Sequence, residues 1–153
     1  MTDKKNRQKA RETVFRLFRY RPRSEKEVVE KLKAKAFPED VIRETVDYFK
    51  KLEMLDDRLF ARGWIQGRLN KPLGMRRIAL ELRKKGIHKD IIEEESEKIT
   101  DYDETAAVRD LARRRLTRYK NVEKFKARQR LYAYLSRRGF SSGAVSKVLR
   151  ELQ

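Results

Sequence analysis

Several absences narrow the possible functions of this 153-residue chain. It has no cysteine, which excludes disulfide bonds and metal sites built on thiolates. It also lacks any apolar run of roughly 18 residues, so the sequence predicts no membrane-spanning helix. Residues 1–10 lack the apolar segment of a secretory signal. We therefore expect a cytoplasmic protein with no membrane partner.

Candidate catalytic, phosphate-binding and metal-binding groups are scarce. His88 is the only histidine, and its place beside a helix stop predicts a surface or capping role. There is no phosphate-binding glycine loop, and the acidic residues at 101–104 lack the spacing and glycine of a calcium loop. The acidic run 93–95 is expected to face solvent. The sequence thus predicts no enzyme, no catalytic residue, no metal site and no cofactor.

Positive charge is abundant and unevenly placed. The chain has 41 basic and 24 acidic residues, for a net charge of +17. Residues 1–23 carry +7 and residues 105–153 carry +11, whereas the middle is nearly balanced. Because like charges repel one another, this excess favours a polyanionic partner. The last third of the chain would bind that partner most strongly.

The apolar residues recur at helical spacing, which predicts an all-α fold despite an apolar content of only 39%. One pattern, with separations of 4, 5 and 4 positions, occurs three times. It indicates a helical repeat of about fifty residues. The three sets are Val28, Leu32, Phe37 and Val41; Ile78, Leu82, Ile87 and Ile91; and Leu131, Leu135, Phe140 and Ala144.

Turn and capping residues place the repeat boundaries. We predict a first three-helix repeat with a basic N-terminal helix at 1–57, a second at 58–104 and a third at 105–153. Ser24 and Glu27 have capping-box spacing, and Gly86 and Gly139 stand where a helix would end in the left-handed conformation. The first repeat has Ala36 at the matching position.

The candidate contact residues are basic side chains that lie off the predicted apolar stripes. A solvated face without a partner is the alternative, but the charge of the last third favours an anionic partner. The predicted site residues are Arg68, Arg76, Arg77, Arg83, Lys84, Arg113, Arg114, Arg115, Arg118, Lys120, Arg137 and Arg138.

Two other groups have a structural and a functional interpretation. Asp56 and Asp57 precede a helix, where carboxylates cap free backbone N–H groups, and this is favoured over catalysis or metal binding. The aromatic residues, Phe15 and Trp64 among them, are expected mainly in the core. Tyr119 lies between two basic residues and could instead stack on a single-stranded base.

The segment LDDRLFAR at residues 55–62 resembles a motif of the RecX regulatory proteins, the bacterial modulators of the RecA recombinase. The resemblance continues through Arg68, the turn at Gly74 and the run 77–87, and it covers about residues 11–152. The chain departs from the family pattern at Ala36, where a glycine is usual, and at residues 53–54, where a glycine and an aromatic are usual. Both departures concern turns and helix ends.

The resemblance implies three tandem three-helix repeats that form an elongated, curved array. It also implies a negative regulator that binds the filament of RecA on single-stranded DNA and inhibits its ATP hydrolysis, strand exchange and co-protease activity. The partners would be the RecA filament and single-stranded DNA, with double-stranded DNA as a further possibility, and the protein would be a monomer.

A stand-alone nucleic-acid-binding protein is the alternative function. A short helix, a turn at Gly74 and an arginine-rich helix are similar to a helix-turn-helix element. Three repeats of differing charge lack the symmetry of a dimeric operator-binding protein, which favours the filament regulator.

Overall fold

A computed structural model describes residues 2–152, and all its regular structure in that range is helical. The prediction of an all-α fold is therefore confirmed. The nine α-helices of the described range are α1 (Thr2–Tyr20), α2 (Glu25–Ala34), α3 (Glu39–Lys51), α4 (Asp57–Leu69), α5 (Met75–Lys84), α6 (Lys89–Glu97), α7 (Glu104–Leu116), α8 (Lys124–Arg137) and α9 (Ser142–Glu151). A short 3-10 helix, Thr117–Tyr119, follows α7.

The chain divides into two compact units. One extends to Gly63 and includes Leu82–Glu93, and the other combines Trp64–Glu81 with the chain from Glu94 onward. Helices α4, α5 and α6 each pass from one unit into the other. The repeat boundaries at 57/58 and 104/105 remain a prediction.

The predicted helix ends are formed by local hydrogen bonds. Ser24 and Glu27 make a full capping box at the start of α2. Asp103 caps α7 by accepting a bond from the Ala106 N–H, and Ser141 caps α9 in the same way through Ala144.

Each unit has its own apolar core, and the repeated positions supply much of it. Two buried clusters are resolved, one formed by α1–α3 with Leu55 and one by α7–α9 with Phe140. All twelve positions of the 4, 5, 4 pattern are buried except Phe37 and Ile91, which are partly exposed. The pattern therefore identifies the inner face of each repeat correctly.

Two expectations about burial were wrong. Glu95 does not face solvent, because its side chain is fully buried and accepts a bond from Lys98 at 3.1 Å. Phe15 is 39% exposed, although its ring packs edge-on against Phe49 at 4.8 Å. Residues at the edge of an apolar stripe are those for which helical spacing alone misjudges burial.

The start of α2 meets the end of α5 within the first unit. The Ser24 hydroxyl donates to the Lys85 carbonyl at 2.7 Å, and the Lys26 ammonium donates to the Lys84 carbonyl at 3.3 Å. A Cβ on Gly86 would lie 2.5 Å from the Lys26 Cβ. Carbonyls left free at one helix end are thus satisfied by donors at the start of another.

The start of α5 meets the end of α8 in the same way within the second unit. The Gly74 N–H donates to the Arg138 carbonyl at 2.7 Å, and the Arg76 N–H donates to the Gly139 carbonyl at 3.2 Å. A Cβ on Gly139 would lie 2.5 Å from the Arg77 nitrogen. In both contacts, therefore, the start of one repeat's central helix binds the end of the next repeat's central helix.

These two contacts explain why the second and third repeats have a glycine after the central helix and the first repeat does not. Gly86 and Gly139 have φ of +84° and +89°, and a side chain at either position would collide with the adjacent helix start. Ala36 also has a positive φ, of +62°, but it is exposed, so its methyl group has room. Glu53, the other departure from the family pattern, likewise has a φ of +58°. Both departures keep the glycine conformation at some cost in strain.

We expect Ala36→Gly to raise the free energy of unfolding by about 0.5 to 1 kcal/mol. Relief of left-handed strain exceeds the added flexibility of the unfolded chain by roughly that amount. Ala34→Gly is the matched control, because Ala34 lies in the last turn of α2 and is also exposed. Glycine there should instead cost up to about 1 kcal/mol. Chemical denaturation distinguishes the two, and equal losses from both variants would contradict the strain at Ala36.

The two aspartates have different roles. Asp56 accepts bonds from the N–H groups of Arg58 and Leu59, so it caps α4 as predicted. Asp57 accepts instead from the Glu25 N–H at 2.8 Å, 32 positions away, and thereby completes the start of α2. Burial raises the pKa of the Asp57 carboxyl above its usual value, although the bond from Glu25 opposes this. Both aspartates are structural, and Asp57 joins the start of α4 to the start of α2.

Glu27 is the acidic centre of the contact between α2 and the end of α5. Its carboxylate pairs with Arg21, accepts from the Ser24 N–H at 3.2 Å and lies 3.5 Å from the Lys85 ammonium. Burial alone would raise its pKa, but the bonds from Arg21 and Ser24 and the charge of Lys85 outweigh burial, so the pKa is lowered.

Glu27→Gln is expected to lower the free energy of unfolding by about 1 to 2 kcal/mol at pH 7, because it removes charge-assisted hydrogen bonds. The folded-state pKa is depressed, so the contribution is present above about pH 4.5 and is lost as the pH falls through the folded value. Urea melts of the two proteins should therefore differ at pH 7 and converge at acidic pH. Glu30→Gln, on the exposed side of α2, is the control and should change little. A loss that does not vary with pH would contradict an ionic role.

Candidate nucleic-acid interface

The helix contact in the second unit brings four of the predicted arginines together. Arg76 and Arg77 lie in the first turn of α5, and Arg137 and Arg138 end α8. The Arg77 guanidinium donates to the Arg137 carbonyl at 3.4 Å. We call these four residues the arginine cluster. Two segments sixty positions apart thus form one basic surface.

The cluster is positioned by backbone as well as by its own side chains. The Arg138 guanidinium donates to the Pro72 carbonyl at 2.9 Å, which holds the turn before α5 against the end of α8. Arg76, Arg77 and Arg137 are exposed, whereas Arg138 is partly buried. Three arginine side chains are therefore exposed to solvent on helix ends that a backbone contact holds together.

No acidic side chain within residues 2–152 forms an ion pair with a member of the cluster. Four like charges without a counter-charge create a field that attracts anions. The N-terminal end of α5, which carries partial positive charge, lies at the same place. Phosphate groups match both the charge and the bidentate geometry that guanidinium offers.

Tyr134 connects the cluster with the basic run of α7. The Arg138 guanidinium lies 5.7 Å from the centre of its ring, and the Arg115 guanidinium lies 4.1 Å from it. Arg115 also donates to the Tyr119 hydroxyl at 3.4 Å, and this bond raises the pKa of Arg115 above its ordinary value. Sequence reasoning missed the role of Tyr134, because no spacing shows which ring two distant arginines share.

The other predicted site residues in and just after α7 differ in whether their side chains already bind a neighbour. Arg114 pairs with Asp110 at 2.7 Å, and Arg115 is occupied by the two tyrosines. Arg113, Arg118 and Lys120 are exposed. Tyr119 is partly buried and packs against the core of α7–α9, which supports the structural rather than the base-stacking interpretation.

Arg68 is the predicted site residue with the strongest internal contacts. Its guanidinium bonds to the Glu81 carboxylate at 2.7 Å and lies 5.0 Å from the centre of the Trp64 ring, whose N–H bonds to the same carboxylate. Arg68 therefore stabilises the packing of α4 on α5. Arg83 and Lys84 are exposed at the other end of α5, in the first unit.

Within residues 2–152, the side chains of His, Asp and Glu form no group of three or more that could hold a metal ion. No helix in the same range is long and apolar enough to cross a membrane. His88 is exposed, and its ring accepts a bond from the Asp90 N–H at 3.2 Å, so it serves as the capping residue that was predicted.

Three family models match consecutive parts of the chain. They describe the first, second and third three-helix domains of RecX and match residues 10–49, 56–94 and 101–149. Together they cover most of the chain, in the order of the predicted repeats. The prediction of three tandem three-helix repeats is confirmed.

Curated relatives and a solved structure agree with the family models. The regulatory protein RecX of Chlorobium phaeobacteroides is 35% identical over 145 residues, which cover 94% of this chain and 93% of that protein. The regulatory protein RecX of Thermobifida fusca is 31% identical over 144 residues, covering 94% and 78%. A crystal structure of RecX from Lactobacillus salivarius has a TM-score of 0.88 at 26% identity and covers 97% of each chain.

Proposed function

The chain belongs to the RecX family of regulatory proteins, and we propose that it is a negative regulator of the RecA recombinase. In this proposal it binds the filament of RecA on single-stranded DNA and inhibits ATP hydrolysis, strand exchange and co-protease activity. The carrying observation is the match of all three RecX domain models in order along the chain. The protein would act as a cytoplasmic monomer and without catalysis of its own.

The arginine cluster supports a contribution from DNA. Its exposed guanidinium groups suit phosphate oxygens, which receive half or more of the hydrogen bonds in protein–DNA complexes. Binding through such a surface depends on charge and little on sequence. Contacts of this kind would hold a regulator on a filament at any DNA sequence.

The proposal is tested by comparing binding to naked and RecA-coated single-stranded DNA across a salt series. We expect filament binding to be the tighter of the two and naked-DNA binding to fall steeply with salt, with little sequence preference. Fluorescence anisotropy on labelled oligonucleotides of several sequences measures both. Tight, sequence-specific binding to naked DNA that RecA does not improve would contradict the proposal and favour a stand-alone nucleic-acid-binding protein.

A further inference from the structure

An apolar groove in the third repeat includes none of the arginine cluster. We call it the Phe125 groove. Its main cavity has a volume of about 580 Å³, and Phe125 also lines a second cavity of about 400 Å³. Both are bounded by α8 and α9. The floor of the main cavity includes the aliphatic residues Leu116, Leu131, Leu149 and Leu152.

Two large aromatic side chains of the groove remain exposed to solvent. Phe125 is 63% exposed and Tyr132 is 41% exposed. The two lie seven positions apart on α8 and therefore on one face, about two turns from each other. Large apolar side chains that remain exposed in a row commonly mark a protein-interaction surface.

The rim of the groove is basic. Lys120, Lys124, Arg128 and Arg150 line the two cavities, and no acidic residue lines either of them. None of these four forms an ion pair with another of residues 2–152. A partner that fills the groove must therefore combine apolar side chains with negative charge.

We propose that the Phe125 groove docks an acidic, amphipathic segment of a partner protein, whose apolar side chains enter the two cavities while its carboxylates face the basic rim. Recognition of a helix by apolar anchors one and two turns apart has this geometry. A protein segment fits better than a nucleobase, because the polar edge of a base would be left without hydrogen-bond partners over an aliphatic floor.

This docking site goes beyond the proposed function, since it requires neither DNA nor the recombinase. The test therefore uses the full chain with a synthetic probe, a labelled peptide of about four helical turns with leucine at one-turn spacing and glutamate elsewhere. Fluorescence anisotropy should show saturable binding. A second peptide with every leucine changed to serine keeps the charge and should bind at least about tenfold more weakly.

Phe125→Ala should weaken binding of the leucine peptide about tenfold. Tyr20→Ala is the matched control, because Tyr20 is 80% exposed on α1 and lies in the other unit. If Phe125→Ala also lowers the melting temperature, Lys124→Glu with Arg128→Glu gives a second variant that alters the rim alone and should weaken binding comparably. The peptide assay does not measure filament inhibition, so its result is independent of whether the proposed function is correct.

Two results would overturn the proposal. Equal binding of the leucine and serine peptides would mean that charge alone attracts them. If instead an oligothymidylate of about 16 nucleotides displaces the peptide, and Phe125→Ala weakens the oligonucleotide more than the peptide, the aromatic residues are a stacking surface for bases.

Discussion

Gly139→Ala is expected to lower the free energy of unfolding by about 3 kcal/mol, combining left-handed strain with overpacking. Gly139 has a φ of +89°, where an L side chain is strained, and an added Cβ would lie 2.5 Å from the Arg77 nitrogen. That nitrogen belongs to backbone and cannot rotate away. The end of α8 would have to retreat from the start of α5, which would also lengthen the bond from the Arg76 N–H to the Gly139 carbonyl.

Substitutions at two further glycines serve as comparisons for this prediction. Gly74 faces Gly139 across the contact, and a Cβ on it would lie 2.5 Å from the Phe140 nitrogen, although its φ is not positive. Gly74→Ala therefore isolates the collision and should cost about 2 kcal/mol. Gly143 lies in the first turn of α9 with no neighbouring atom within 4 Å of an added Cβ, so Gly143→Ala should be neutral or slightly stabilising.

Thermal and denaturant unfolding measure all three variants. If Gly139→Ala and Gly74→Ala cost no more than Gly143→Ala, the close contact between α5 and α8 does not exist in solution. The arginine cluster would then lose its structural basis, since the contact is what brings its two halves together.

Replacing Arg76, Arg77 and Arg137 by glutamine is expected to weaken binding to single-stranded DNA about tenfold or more at moderate salt. Each lost phosphate contact also removes a released counter-ion, so the slope of log affinity against log salt should become shallower by about 2. The three side chains are exposed, and glutamine keeps part of each aliphatic stem. Stability should therefore change little.

A control with the same loss of charge tests whether position matters. Arg7, Lys50 and Arg109 each form a surface ion pair, with Glu44, Glu25 and Glu151 at 2.7, 3.0 and 2.8 Å. Changing these three to glutamine lowers the net charge equally but leaves the cluster intact. If both triple variants lose the same affinity, net charge rather than the cluster accounts for binding.

The repeat and its helix ends could be predicted because they follow from local rules. The spacing of 4, 5 and 4 identifies an inner face, and Ser24 with Glu27 forms the capping box that its spacing predicts. Gly86 and Gly139 have the positive φ expected of helix ends. Each of these inferences needs only residues that are near one another in the sequence.

The rest depends on contacts between distant residues, which no periodicity reveals. Asp57 was expected to cap its own helix, but it completes the start of α2 instead. Arg68 has the same side chain as Arg76, yet Glu81 and Trp64 occupy it. An arginine's position off an apolar stripe shows that it is outward, but not whether an acidic or aromatic neighbour already binds it.

The candidate site shows the same limit. Arg77 and Arg137 were singled out separately, from local charge density, and nothing in the sequence shows that their helices meet end to end. Gly74 and Gly139 were the available signal, because a helix start and a helix end that approach this closely leave no room for a Cβ at the contact. Their importance for the site follows only once the contact is seen.

The most direct measurement is single-stranded-DNA-dependent ATP hydrolysis by the cognate RecA, titrated with this protein. Hydrolysis is expected to fall as the protein is added, and more of the arginine-cluster triple variant than of its charge-matched control should be needed for the same inhibition. Unchanged hydrolysis, at concentrations where the protein demonstrably binds single-stranded DNA, would contradict a role as a recombinase regulator.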